Sequence, residues 1–179
     1  MSFGALVMGD QACANLARQM MRGAELVKVE RTENIGLVNS MLALEGIRET
    51  VWDDSGPAPL PLHPGIYYLI ASMDVWDEGA VNECAIGCMA FMPVNAVTWN
   101  PHIAILPKYR GKGTQAMKSG IVWMFEHTPC KKLVAYPPEY NKPMVRVFEK
   151  CGFDHEGFSP DSILKNGLLH GRNLMGRNK

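Results

Sequence analysis

The chain has 179 residues, of which 47% are hydrophobic and 20% charged, the proportions of a folded protein with a core to bury and not of a disordered one. Eighteen Lys and Arg balance eighteen Asp and Glu, so no basic excess speaks for broad nucleic-acid binding. No apolar run approaches the ~20 residues of a membrane span, and the N-terminus lacks a basic-then-apolar signal pattern, so a cytoplasmic location is expected.

Residues 1–22 carry Cys13, Leu16, Ala17 and Met20 at helical spacing behind Asp10 and are expected to form a helical extension, with 23–179 as the main domain. Glu25–Arg31 alternates apolar and charged residues, as a half-buried strand does. Thr32 then caps a helix whose apolar face is Ile35, Val38, Met41 and Leu42, ending near Gly46. The following stretch holds Pro57, Pro59, Pro61 and Pro64 and reads as an extended loop, either a surface connection or the wall of a cleft. Strands are expected at Ile66–Met73, Ala85–Val94 and Val97–Leu106, with an acidic turn around Asp74–Glu83. Met117, Gly120, Ile121 and Met124 mark a helix over Gly113–His127, and Lys131–Tyr136 is a short strand. A second helix bears Met144, Val147, Phe148 and Cys151 and stops at Gly152, a left-handed cap. Phe153–Ser162 and Leu168–Met175 flank Asn166-Gly167, a strong hairpin signal. The order is that of one mixed α/β domain without internal repeats.

Five cysteines (Cys13, Cys84, Cys88, Cys130, Cys151) form no C-x-x-C pair. Cys84 and Cys88 fall four apart in an expected strand, roughly 13 Å from each other, too far for a disulfide or a shared metal. They read as small buried hydrophobes in a reducing compartment.

The chemistry concentrates in Ile103–Ala116, where a strand runs into a turn with Arg110, Gly111 and Gly113 and a helix starts at once. Amides at a helix start lack intrahelical partners, the helix dipole favours negative charge there, and glycine lets the backbone approach a phosphate. Arg110 and Lys112 add positive charge. The spacing is neither a Walker A loop nor the dinucleotide G-x-G-x-x-G pattern.

The run Pro107-x-x-Arg110-Gly-Lys-Gly113 resembles the pyrophosphate signature of GNAT acetyltransferases, R/Q-x-x-G-x-G/A. Downstream, Asn141-x-x-Met144-x-x-x-Phe148-x-x-x-Gly152-Phe153-x-x-x-Gly157 is similar to that superfamily's second motif, N-x-x-A-x-x-x-Y-x-x-x-G-F-x-x-x-G. The segment His102–Pro107 and the closing hairpin look most like short acetyltransferases encoded by bacteriophages. The resemblance implies a twisted mixed sheet of about seven strands flanked by helices. Its fourth and fifth strands would splay apart around acetyl-CoA. Backbone of Ile103 and Ile105 would pair with the pantetheine arm. Amides of Arg110, Gly111, Lys112, Gly113, Thr114 and Gln115 would hold the pyrophosphate, and Asn141 would touch the cofactor. Two positions depart from the pattern: Gln115 replaces the last Gly/Ala, and Phe148 stands where many members carry the Tyr that protonates the leaving thiolate.

Acetyl transfer needs an amine deprotonated before attack and a proton for the thiolate. His102, titrating near neutrality, is the first candidate base, and it shares a strand face with Ala104 and Leu106. Tyr136 and Tyr140 are candidate substitute acids, with Glu83 and Glu139 behind them. Asp53, Asp54, Asp74, Asp77 and Glu78 are expected in loops bordering the acceptor cleft. The expected function is acetyl transfer from acetyl-CoA to a primary amine on a small molecule, peptide or protein. The alternative is a cofactor-binding module weakened in catalysis, and neutral net charge counts against an aminoacyl-tRNA acceptor. The sequence is compatible with a homodimer.

Overall fold

The computed structural model describes residues 26–179 except Trp52, Pro57, Glu78 and Gly79. The extension expected over 1–22, with Cys13, lies outside the described residues. In chain order the elements are β1 (Lys28–Arg31), α1 (Ile35–Ala43), α2 (Arg48–Val51), β2 (Tyr67–Asp77), β3 (Ala80–Asn95) and β4 (Thr98–Ile105). A 3-10 turn (Pro107–Lys112) leads into α3 (Gly113–His127), followed by β5 (Lys132–Ala135), α4 (Lys142–Lys150), β6 (Asp154–Lys165) and β7 (Leu168–Asn178). The seven strands form one sheet in the order β1-β2-β3-β4-β5-β7-β6, mixed because β4 and β5 run parallel and every other pair antiparallel.

Period-two alternation splits the buried residues between the two faces of the sheet. Leu69, Ala71, Met89, Phe91, Trp99, Ile103, Leu133, Ala135 and Met175 pack on one face against Met117, Ile121 and Met124 of α3 and Phe148 of α4. Tyr68, Cys88, Ala90 and Ala104 face the other way, under Val38, Met41 and Leu42 of α1 and Ile47. Each Val, Leu, Ile, Phe or Met among them contributes roughly 1.5–3 kcal/mol by leaving water, so both helix layers are firmly anchored. Gly87 of β3 has a packing reason: a Cβ there would collide with the Ala104 carbonyl and the Ile105 side chain.

Several expectations are corrected. The cap of α1 is Asn34, whose carboxamide oxygen accepts from Leu37 N–H at 3.0 Å, while Thr32 Oγ1 instead accepts from Asn34 N–H. The acidic turn is shorter than expected, because Asp74↔Glu83, Val75↔Asn82, Trp76↔Val81 and Asp77↔Ala80 remain paired. Asp74 and Asp77 are therefore strand residues; Asp74 accepts an ion pair from Lys28 at 3.2 Å on β1, and Glu83 accepts from Ser72 Oγ at 2.7 Å. Asp74, Asp77 and Glu83 are thus residues of the β2–β3 ribbon rather than of a loop. The proline-rich loop is pinned over the α1 face. Asn39 brackets Leu60 with two side-chain bonds, Tyr68 Oη donates to Pro61 O at 2.7 Å, and Trp99 Nε1 donates to Gly65 O at 3.1 Å. Cys88, Cys130 and Cys151 are buried free thiols, as expected, and Cys84 is half-buried.

Candidate active site

The site begins where the sheet comes apart. β5 pairs with β4 only at Thr98↔Lys132 and Trp99↔Leu133; beyond that the two strands diverge. Leu106 N–H donates to Ile86 O of β3 at 2.9 Å. Antiparallel residues alternate between bonded and non-bonded pairs, so Ala104 and His102 also turn their amides toward β3. Ile105 and Ile103 therefore turn N–H and C=O the other way, into the gap that β5 has left.

At the end of β4 the chain makes the 3-10 turn and enters α3 without a side-chain cap. The expected glycine turn is a 3-10 turn, and Gly113 N–H donates to Arg110 O. Neither glycine is demanded by the fold. Gly113 has helical φ (−56°), and a Cβ on it would meet Ile105 and Val147 only at 3.8–3.9 Å, whereas one on Gly111 would meet nothing within 4 Å. Glycine at Gly111 leaves the backbone bare on an open surface, which fits an external ligand approaching closely. Arg110 is exposed, but its Nη2 donates to Gly46 O at 2.8 Å, so its charge is anchored to the corner between α1 and α2. Lys112 lies half-buried in the same turn. Thr114 and Gln115 sit half-buried in the first turn of α3, with Thr114 O facing the Cys151 thiol at 3.6 Å.

On the α1 face, His102 and Ala104 share one side of β4, as the alternation predicted. Carrying the β4–β5 register forward from Trp99↔Leu133 sets His102 level with Tyr136, on the same face, across the gap. His102 keeps an exposed surface, yet the surrounding protein removes enough water to lower its pKa from the ordinary 6.5. Tyr136 is also exposed.

Tyr140 lies further along, its ring in edge contact with His170 of β7 at 4.8 Å. Both line a cavity of about 490 Å³ together with Glu49, Asn141, Lys165 and Leu168. Burial raises the Tyr140 pKa, helped by the negative charges of Asp53 and Asp54 and opposed by Arg172. The cavity wall is held by the hairpin tip. Asn166 (φ 54°) and Gly167 (φ 73°) both adopt left-handed backbone, and their N–H groups converge on the Asp54 carboxylate at 2.8 and 2.7 Å. Asp54 N–H donates to Leu164 O at 3.1 Å, and Lys165 Nζ donates to Glu49 O at 3.0 Å. Asp53 is occupied by Ser55, whose amide and hydroxyl both donate to it.

Of the residues expected from sequence, His102, Tyr136 and Tyr140 fall on the α1 face, while Ile103, Ile105 and the Arg110–Gln115 turn line the gap. The side-chain oxygen of Asn141 caps α4, accepting from Met144 N–H at 3.2 Å, so it shapes the helix end as well as the cavity. Phe148 is buried to 3% exposure, its ring 4.9 Å from that of Phe153. Glu139 is spent on Gly171 N–H at 2.8 Å. Sequence reasoning missed Glu49, Lys165, His170 and Arg172; the alternation 168, 170, 172 along β7 was the available signal. Among the described residues no cluster of His, Cys, Asp or Glu could hold a metal ion.

A splayed parallel pair with an open backbone edge, closed at one end by a glycine-bearing helix start, defines an acyl-CoA N-acyltransferase. Residues 45–153 match the family model for the Acetyltransferase (GNAT) family, and the chain belongs to that family. A search of curated protein sequences gives no match. Among solved structures, a chimera of the spermidine N-acetyltransferase SpeG from Vibrio cholerae and hSSAT superposes with TM-score 0.65 at 13% identity, covering 86% of this chain and 95% of that one. A protein assigned as a phosphinothricin N-acetyltransferase gives TM-score 0.60 at 19% identity, covering 85% and 98%. A mutant form of the spermidine/spermine N-acetyltransferase SpeG from Vibrio cholerae gives 0.63 at 15%, covering 85% and 94%. At these identities the likeness concerns the fold. No helix among the described residues is long and apolar enough to cross a membrane.

Proposed function

We propose that this protein transfers an acetyl group from acetyl-CoA to a primary amine, with the cofactor along the open edge of β4 and the amine arriving from the α1 face. The carrying observation is the pairing of β4 with β5 at two positions only, which leaves the backbone of Ile103 and Ile105 without a strand partner on the β5 side. Bound acetyl-CoA supplies the activated thioester carbonyl. Ile103 and Ile105 hold its arm as an added strand, and the amides from Arg110 to Gln115, with Lys112, hold the pyrophosphate. His102, neutral at pH 7 because its pKa is lowered, accepts the proton that the ammonium must shed. Tyr140, a phenol that is protonated at the same pH and that burial holds so still more firmly, donates to the thiolate, with Tyr136 as the other hydroxyl within this face. The likeness of His102–Pro107 to short bacteriophage acetyltransferases supports a cytoplasmic enzyme of that type.

The test is release of CoA thiol from acetyl-CoA across a panel of amines, small-molecule and peptidic, with spermidine and phosphinothricin included. Thiol release that requires both protein and amine is expected. Tight acetyl-CoA binding by calorimetry with no thiol release for any amine would replace this reading by that of a binding module.

A further inference from the structure

Among the described residues, Arg172 on β7 holds the one buried side-chain nitrogen or oxygen without a hydrogen-bond partner. That atom is Nε, and the bond made by the guanidinium runs from Nη2 to Ser162 O at 2.6 Å. No ion pair among the described residues includes it. Of the two carboxylates near enough to act with it on Tyr140, Asp53 feels the Arg172 charge but takes its hydrogen bonds from Ser55, and Asp54 takes its own from the Asn166–Gly167 amides. A guanidinium offers five donors in a planar fork shaped for an oxyanion, and a buried charged donor left unmatched is costly.

Its place in the sheet says where that oxyanion comes from. Leu168 and His170, which line the cavity, alternate onto the same face of β7 as Arg172. Arg172 is bridged to Pro138, and the β4–β5 register sets Pro138 level with Ala104, beside the gap. Arg172 therefore follows the cavity-lining His170 by two residues on β7, with Pro138 between it and the open edge of β4. The cavity's own charges are one carboxylate, Glu49, against the Lys165 ammonium, a poor match for a polycation.

We infer that Arg172 is an acceptor-binding residue and that the acceptor amine carries a compact oxyanion, a carboxylate or phosphonate, making it an amino-acid-like zwitterion and not a polyamine. This rests on the acetyltransferase reading above.

The experiment measures thiol release at saturating acetyl-CoA for the standard α-amino acids and aminoalkylphosphonates, each beside its carboxamide or decarboxylated amine, with spermidine as the polycation. At least one zwitterion is expected to exceed its neutral partner in kcat/KM on the order of 30-fold or more, the scale of losing one partner of a buried charge pair. The carboxylate and phosphonate arms decide between the two oxyanions. Arg172→Gln should erase the preference through acceptor KM, Arg172→Lys should keep part of it, and calorimetric acetyl-CoA affinity should be unchanged in both. Equal turnover of zwitterions and their neutral partners, or a preference for spermidine, overturns the inference and leaves the acetyltransferase reading standing. Thiol release with no amine at all overturns both. The comparison of substrates is made on the wild-type chain, so it does not depend on either variant folding.

Discussion

Replacing Phe148 with Tyr restores the residue type that many acetyltransferases of this kind use as the acid, and the structure says it will not restore the acid. Phe148 is 3% exposed, enclosed by the α3–α4 side of the core with Phe153 at 4.9 Å. A hydroxyl at its ring tip enters apolar surroundings, and burying it without a partner costs about 1–3 kcal/mol. For a domain of this size each kcal/mol moves the thermal midpoint by roughly 2–4 °C, so a fall of about 2–12 °C is expected. A working general acid contributes about 10²–10⁴-fold, so the rate separates the outcomes cleanly. Phe148→Tyr is to be assayed by calorimetric melting and by steady-state thiol release with a reactive amine. The expected result is a lowered midpoint with kcat within a few-fold of wild type. A rise in kcat of about 100-fold with an unchanged midpoint would refute the argument, since it requires the ring tip to reach the thioester.

Gly113→Asp should abolish acetyl-CoA binding in calorimetry, whereas Gly113→Ala should leave the fold intact, because helical φ and contacts no closer than 3.8 Å accommodate a methyl. His102→Gln should remove the acid limb of the pH–rate profile. With its pKa lowered, wild-type activity should hold as pH falls to 6.5 and drop below it, through the depressed value. Asp54→Ala should raise acceptor KM and speed hydrogen exchange at Asn166 and Gly167, whose amides it binds. The backbone hydrogen bonds from Gly167 and Asn166 lower the Asp54 pKa, so its stabilising contribution is present above 3.8 and lost as pH falls through the depressed value; wild type and variant should converge there.

The elements with strong local chemistry were legible in the sequence. The helix after Gly113, the one ending at Gly152 and the Asn166-Gly167 turn are each specified within a few residues, by 3.6-residue spacing, a left-handed glycine (φ 77°) and paired left-handed backbone. So was the candidate cofactor turn, because glycine next to a helix start is a local pattern. The polar run from Asp74 to Glu83 misled, since an exposed two-stranded ribbon and a long turn share a composition; only cross-strand pairing tells them apart. The gap itself depends on where β5 stops accompanying β4, a register between segments about thirty residues apart. Which side of the sheet His102 faces, and that Tyr136 stands opposite it, follow from that register. The clamp of Asp54 on the hairpin tip joins residues 112 and 113 positions apart, and the exposure or burial of Arg172 is fixed by Pro138 and Ser162 meeting it in space. Periodicity and turn chemistry act over one element, so the sequence decided what each segment becomes. Strand pairing is non-local, and only the assembled sheet decided which side chains share a cavity and which guanidinium nitrogen is left without a hydrogen-bond partner.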